Sequence, residues 1–448
     1  MFYQVPQHID PNKVFLINHS ELEGRFDSDF YNPSYYQIFD SEKVKWVRLK
    51  SVIENLKHPP EYKRVFATEG YQLIRSQNVR PTGINLSDNP VFLADEVVQS
   101  SSTIFPHVND ILIVRSGVNA GDVAVVEEEF KNVIIGADTL LLNVTKDVLP
   151  KFVQIYFMTD IGRKQLNRHI TGATNKHLNS FSLKRVYFPK VDIEIQSKCI
   201  SIIESAFVEN IRKNEQAKGL LESIDSYLLG ELGIQLPEMK SQALQDRMFL
   251  VNSSEVSGRR FDPKSVLFLG ESAKSIKYEN AQLKQIAKIE KGDSITSDEV
   301  NKEGQYPVIA GGQTSPYNHD TFNYAGDIIT VSASGAYSGY VWYHNYPIFA
   351  SDCSVIYAKN NQQFLTQYIF EVLKAQQSHI YLLQQGAGQP HVYPDDLSTL
   401  WIPAIPLKKQ QEIVDHISAI RKQAKALQEE GKSILEQTKK EVEQMILG

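Results

Sequence analysis

Apolar residues recur at helical spacing through two long stretches that are nearly free of breakers, and elsewhere the pattern shortens to brief apolar runs. In residues 195–232 they stand at Ile195, Cys199, Ile202, Ile203, Ala206, Phe207 and Ile211, then at Leu220, Leu221, Ile224, Tyr227 and Leu228. That spacing lines one face of a helix. Residues 410–447 repeat it with Ile413, Val414, Ile417, Ile420, Leu427, Ile434, Leu435, Val442 and Ile446. Each stretch predicts a helix of roughly 60 Å at about 1.5 Å per residue. Two long helices and two remaining blocks predict a duplicated protein.

The blocks bear this out at the level of words. FLINHSELEGRFD at 15–27 returns as FLVNSSEVSGRRFD at 249–262, matching Asn18 with Asn252, Ser20 with Ser254, Glu21 with Glu255, Gly24 with Gly258 and Arg25 with Arg259. A spacing near 234 residues means a duplicated domain rather than a solenoid repeat. Each copy is followed by a strand-like segment, WVRLKSVI at 46–53 or AQLKQIAKI at 281–289. Next come paired strands, DILIVRSG at 110–117 and DIITVSASG at 327–335, each leading through a glycine turn to another strand, VAVVEE or YVWYH. In this alignment Asp138 corresponds to Asp352. A helix-like segment follows in both, FVQIYFMTDIGRKQLNRHI or FLTQYIFEVLKAQQSHIYLLQQ. The copies converge again in GATNKHLNSFSLKRVYFPKV at 172–191 and GAGQPHVYPDDLSTLWIPAI at 386–405, where His177 matches His391 and Pro189 matches Pro403. After each proline a long helix begins. The segment 233–247, with Pro237, reads as a linker between units.

At 448 residues the chain suits two domains plus connecting helices. No run approaches the roughly 18 apolar residues of a membrane span, and the start, MFYQVPQHID, lacks the pattern of a signal peptide. Two cysteines, Cys199 in a helical stretch and Cys353 in a strand-like one, fit buried thiols in a reducing cytoplasm rather than a disulfide framework or a metal cluster. The net charge of −6 argues mildly against a nucleic-acid partner, but it averages over faces that need never meet DNA, and a local basic cleft suffices.

Enzyme signatures are missing. Asn32-Pro33-Ser34-Tyr35 superficially resembles the Asn-Pro-Pro-Tyr motif of adenine methyltransferases, yet its third residue is Ser and the other copy reads Asp-Pro-Lys. A turn is expected there. No P-loop, dinucleotide-binding glycine motif, His-Glu-x-x-His or Cys/His cluster is present. Glu127, Glu128 and Glu129 read as a solvated strand end.

The loops carry more chemistry. TGATNKHLN at 171–179 sets Thr174, Asn175, Lys176, His177 and Asn179 on a glycine turn, and its counterpart presents Gln389, His391 and Tyr393. Such side chains hydrogen-bond phosphates and base edges, and a loop gives no packing reason for them. Arg75, Gln77 and Arg80 fall among strand residues in YQLIRSQNVRP, while VIAGGQTSPYNHD places Gln313, Thr314, Tyr317, Asn318 and His319 in a glycine turn. The loop after the paired strand adds Arg115, Ser116 and Asn119 in the first copy, and Ser332, Ser334, Tyr337 and Ser338 in the second. A repeated scaffold with divergent loop chemistry fits two domains reading two ligands of one kind.

With its two alternating globular and helical regions, Gly-Ala-Thr-Asn-Lys loop, strand ending in Phe188-Pro189 and helix start at Ile195-Gln196, the chain resembles the specificity subunit of type I restriction-modification systems over nearly its whole length. In the second copy the loop reads Gly-Ala-Gly-Gln-Pro, so Lys176 is matched by Pro390. The resemblance implies an α/β (α+β) fold: two mixed strand-rich recognition domains joined by two long antiparallel helices, with an internal pseudo-twofold repeat. The expected segments are an N-terminal segment packing with the first domain (1–44), recognition domain 1 (45–190), a central spacer helix (191–236), a linker with the repeated N-terminal segment (237–278), recognition domain 2 (279–403) and a C-terminal spacer helix (404–448). It further implies no catalysis and no cofactor in this chain. Its partners would be double-stranded DNA, two modification subunits with S-adenosylmethionine, and restriction subunits with ATP and Mg. Helices of this length bridge about one DNA turn, roughly 34 Å, or more. Other readings are a specificity component of another restriction system, a stand-alone methyltransferase, and a structural adaptor that binds no DNA.

Overall fold

A computed structural model describes residues 6, 9–10, 12–23, 25–35, 44–63, 65–99, 102–172, 174–236, 252, 273–296, 298–386 and 388–448. The repeated phrase at 249–262, apart from Asn252, and most of the linker lie outside the described residues. The chain forms two compact units, residues 1–214 with 428–448 and residues 215–427. Among the described residues no helix is long and apolar enough to cross a membrane.

In the first unit the main elements are β1 (Trp46–Arg48), β2 (Ile53–Lys57), β3 (Tyr71–Ile74), β4 (Ile111–Val114), β5 (Val123–Val125), β6 (Val133–Ile135), β7 (Thr139–Val144), the helices α1 (Pro150–Met158) and α2 (Asp160–His169), and β8 (Tyr187–Pro189). The central sheet is antiparallel in the order β2-β7-β4-β5. All four residues of β4 are buried, as a continuous Ile-Leu-Ile-Val run requires of a strand covered on both faces. Ile111 and Ile113 face the helices, with Phe152, Val153 and Tyr156. Leu112 and Val114 face the other way, onto Ile74, Val133 and Ile135 of a small sheet in which β6 and β3 pair in parallel.

The second unit repeats this plan. Its elements are β9 (Asn280–Gln282), β10 (Ala287–Lys291), β11 (Tyr306–Ile309), β12 (Ile328–Ser332), β13 (Val341–His344), β14 (Phe349–Ala350), β15 (Cys353–Ala358) and β16 (Trp401–Pro403). The central sheet runs β10-β15-β12-β13, again antiparallel. A small sheet again contains one parallel pair, β11 with β14. Outside both sheets, β9 pairs with β16 as β1 pairs with β8.

Two expectations need correction. The strand-like segments at 46–53 and 281–289 are each two strands in different sheets, broken by a helical turn at Leu49–Ser51 or Leu283–Ile286. Leu49 and Leu283 are fully buried in those turns, so core packing overrides the local strand pattern. The helix-like segment of the first copy divides at Thr159, whose Oγ1 accepts from Gly162 N and starts a second helix. That of the second copy is interrupted after the helix Thr366–Ala375.

Both long helices are present, α3 (Ile193–Leu232) and, after α4 (Thr366–Ala375), α5 (Leu407–Leu447). In the first unit Cys199 and Ile203 of α3 share a core with Val442 and Ile446 of α5. In the second, Ile224, Leu228 and Leu232 join Ile413, Val414 and Ile417. Within each unit the helix portions therefore run antiparallel. The apolar stripe of α3 is divided between the partner helix and the globular core, whereas Ile211 and Leu221 are 56% and 40% exposed.

Each long helix is fastened at its start by one buried glutamine. Gln196 Oε1 accepts from Leu149 N at 2.8 Å, and its Nε2 donates to the carbonyls of Asp147 and Val191 at 2.9 Å each. Gln410 repeats the set, accepting from Leu365 N and donating to Gln363 and Ile405. Gln410→Ala removes three hydrogen bonds to backbone groups, one of them buried and two part-buried, so it should lower the stability of the second unit by about 2 kcal/mol. Chemical denaturation measures this, and a loss below about 0.5 kcal/mol would contradict it.

The N-terminal segment packs through charge. Glu23 is paired with Arg48 at 3.0 Å, Arg185 at 2.6 Å and Arg168 at 3.7 Å. Burial alone would raise the Glu23 carboxyl pKa, but these arginines hold it below the usual range. Arg168, fully buried, also lies 4.0 Å over the Phe30 ring. Beside it, burial and then the Arg168 charge push the pKa of His169 down to about 3. The unfolded chain takes up that proton near pH 6.5 while the folded one does not. Stability from this site is thus complete above about 6.5 and falls with acid toward 3, by up to roughly 1.4 kcal/mol per pH unit. His169→Phe, which keeps an aromatic ring against Phe30, should flatten the loss in acid-unfolding curves. An unchanged slope would refute this.

Candidate nucleic-acid interface

In the first unit three loops are joined by main-chain hydrogen bonds. Arg115 N donates to Asp138 O at 2.7 Å, Gly117 N to Lys176 O at 3.0 Å, and Leu178 N to Arg115 O at 2.8 Å. Thr171 and His177 close the base of the glycine loop with bonds of 2.9 and 2.7 Å. Gly172 has φ of +96°, and a Cβ there would lie 2.1 Å from Asn175 O, so the turn admits only glycine. Thr174, Asn175 and Lys176 are exposed at its tip.

The same bonds recur in the second unit. Ala333 N donates to Asp352 O at 3.1 Å, Gly335 N to Pro390 O at 3.0 Å, and Val392 N to Ala333 O at 3.0 Å, while Gln385 and His391 close the loop. The backbone is thus shared, and the side chains on it diverge. Ser116 Oγ lies 2.9 Å from His177 Nδ1. Its counterpart Ser334 instead donates to the Asp352 carboxylate and lies 3.5 Å from Gln389 Nε2.

The latched loops bring together Arg115, Ser116, Thr174, Asn175, Lys176 and His177 in one unit, and Ser334, Gln389, His391 and Tyr393 in the other. His391 and Tyr393 are stacked with centroids 6.0 Å apart, and Tyr393 and Tyr337 are 47% and 49% exposed. Gln313 reaches Tyr381 at 3.5 Å, and Thr314 is exposed. Other expected residues are engaged internally. Arg75 and Gln77 donate to the carbonyls of Asn89 and Asp88 at 2.5 and 3.1 Å. Arg80 lies 3.9 Å from Asp122, which Arg163 also holds at 3.0 Å. Asn119 is half-buried, with its main-chain oxygen accepting from Asp122 N. Ser332 is only 3% exposed and ties down the 310–312 turn through Gly312 O. Asn179 caps a short helix by accepting from Ser182 N at 2.7 Å. The Asn32 side chain likewise caps its own turn at Ser34.

Two lysines escaped sequence reasoning. Lys57 ends β2 and Lys291 ends β10, the matching edge strands of the two sheets, with the two lysines one residue apart in register. Lys57 lines a cleft of about 640 Å³ with His58, whose Nε2 lies 3.1 Å from Arg115 Nη1, and Lys291 lines one of about 420 Å³. Their signal was recurrence at the same 234-residue interval as the repeated phrase. Among the described residues no group of three or more His, Cys, Asp or Glu is placed to hold a metal.

A duplicated sheet scaffold that latches two exposed polar loops per copy defines a two-domain recognition protein. Residues 275–437 match the family model of the type I restriction modification DNA specificity domain. The matched span covers most of the second unit, whose topology the first unit repeats. No curated protein sequence matches the chain. Among solved structures, the chain is similar to one from a study of complex assembly and conformational transition of the type I R-M system, at 14% identity and TM-score 0.54, covering 90% of this chain and 97% of that one. It also aligns with the type I restriction-modification S subunit from M. genitalium at 16% identity and TM-score 0.43, covering 89% and 96% of the two chains.

Lys176, exposed, and Arg115, half-buried, are cations on latched loops and should act through phosphate. Lys176→Ala and Arg115→Ala should each weaken duplex binding by the assembled complex several-fold and lower the salt slope by about one. Titrations at several salt concentrations measure this, and unchanged affinity and slope for both would remove these residues from the interface.

Proposed function

We propose that the chain is the non-catalytic DNA-reading subunit of a cytoplasmic type I restriction-modification complex, with each unit reading one part of a bipartite target in the major groove. The observation that carries this is the repeated main-chain latch with divergent side chains, which separates how the loops are held from what they recognise. The long helices fix the distance between the two parts and dock two modification subunits, which bind S-adenosylmethionine. Restriction subunits using ATP and Mg complete the complex. Lysine and arginine contacts to phosphate supply affinity and its salt dependence, while Asn, Gln and Ser at base edges supply choice of sequence.

Exchanging residues 45–190 for the corresponding domain of a relative should change one half of the methylated sequence and leave the other intact. Sequencing of methylated sites in a host expressing the complex reads this out. Changes in both halves would contradict independent reading.

A further inference from the structure

A carboxylate on a surface that meets DNA needs a reason, because phosphate repels it. Asp352 directly precedes β15, between the two latched loops of the second unit. Its main-chain oxygen belongs to the latch, but its carboxylate accepts from Ser334 Oγ, which also lies 3.5 Å from Gln389 Nε2. Asp352 makes no ion pair among the described residues, although Lys291 lines the same cleft of about 420 Å³. Gly311 packs closely over it: a Cβ there would lie 2.5 Å from Ser334 O and 3.1 Å from Asp352 Oδ2. The carboxylate is therefore covered on one side, held by a hydroxyl, and open to a cleft edged by His391 and Tyr393.

An ionised carboxylate only accepts hydrogen bonds. In the major groove, guanine O6 and N7 and thymine O4 are acceptors, so none of them satisfies it. The complementary groups are the exocyclic amines, N6 of adenine and N4 of cytosine. The first unit is set differently. There Ser116 turns to His177, and the corresponding Asp138 is exposed without that hydroxyl.

We propose that Asp352, positioned by Ser334, determines specificity in the second unit by accepting a hydrogen bond from the exocyclic amino group of an adenine or cytosine in the target. The proposal rests on the DNA-reading function above.

The test selects bound sequences from random duplex DNA with the full complex of this chain and its modification subunits. Wild type should yield a motif in which one position of one half requires adenine or cytosine on a given strand, and the motif itself says which. Asp352→Leu keeps the size but removes the acceptor, so the preference there should fall about tenfold or more, with the other half unchanged. Ser334→Ala keeps the carboxylate and removes only its hydroxyl, and should weaken the same position, which decides the matter if Asp352→Leu does not fold. An unaltered motif in a folded Asp352→Leu complex, or in the Ser334→Ala complex where Asp352→Leu fails to fold, would overturn the proposal. A wild-type complex that selects no sequence would instead overturn the DNA-reading function on which it rests.

Discussion

The structure depends on loops that are held together by their backbones. In each unit the shoulder after the second central strand and the glycine loop before the long helix exchange main-chain hydrogen bonds, Gly117 with Lys176 and Leu178 with Arg115, or Gly335 with Pro390 and Val392 with Ala333. Main-chain bonds place no demand on side-chain identity, except where a glycine must take positive φ, as at Gly172 and Gly386. A lysine can thus face a proline across the repeat, Lys176 against Pro390, without disturbing the loop that presents it. Constancy of shape and freedom of chemistry follow from the same bonds.

The long helices supply the other fixed element, and charge fastens them as well as apolar packing. In the second unit Glu371 of α4 is almost fully buried and meets Arg421 of α5 through two bonds of 2.5 and 2.6 Å. Burial raises the Glu371 carboxyl pKa, and the Arg421 pairing offsets this only in part. Burial also lowers the Lys374 ammonium pKa, to about 8. A buried pair of this kind contributes little net stability, yet it strongly penalises any packing that separates its partners. Together with Gln410 it fixes how the first part of α5, residues 407–427, packs within the second unit.

Much of this was legible in the sequence because it is periodic or repeated. The helical stripes, the duplicated phrase and the matched glycine loops marked two copies and their order, and the sheet order repeats between the two units. What was not legible depends on contacts distant in sequence. Helical turns at Leu49–Ser51 and Leu283–Ile286 interrupt runs that look like single strands, because a buried leucine outweighs local propensity. Ser332 has the composition of a recognition residue, but its hydroxyl is spent on the carbonyl of Gly312. Arg80 looks free until Asp122 is brought beside it. The negative net charge likewise says nothing about Lys57 and Lys291, which recur beside the loops.

The central claim is that one scaffold, used twice, reads two separate stretches of DNA. Sequencing the sites methylated by the complete wild-type complex tests it most directly. Two short specified blocks separated by an unspecified spacer of constant length are predicted. A single continuous block, a spacer of variable length, or methylation without sequence preference would contradict the account.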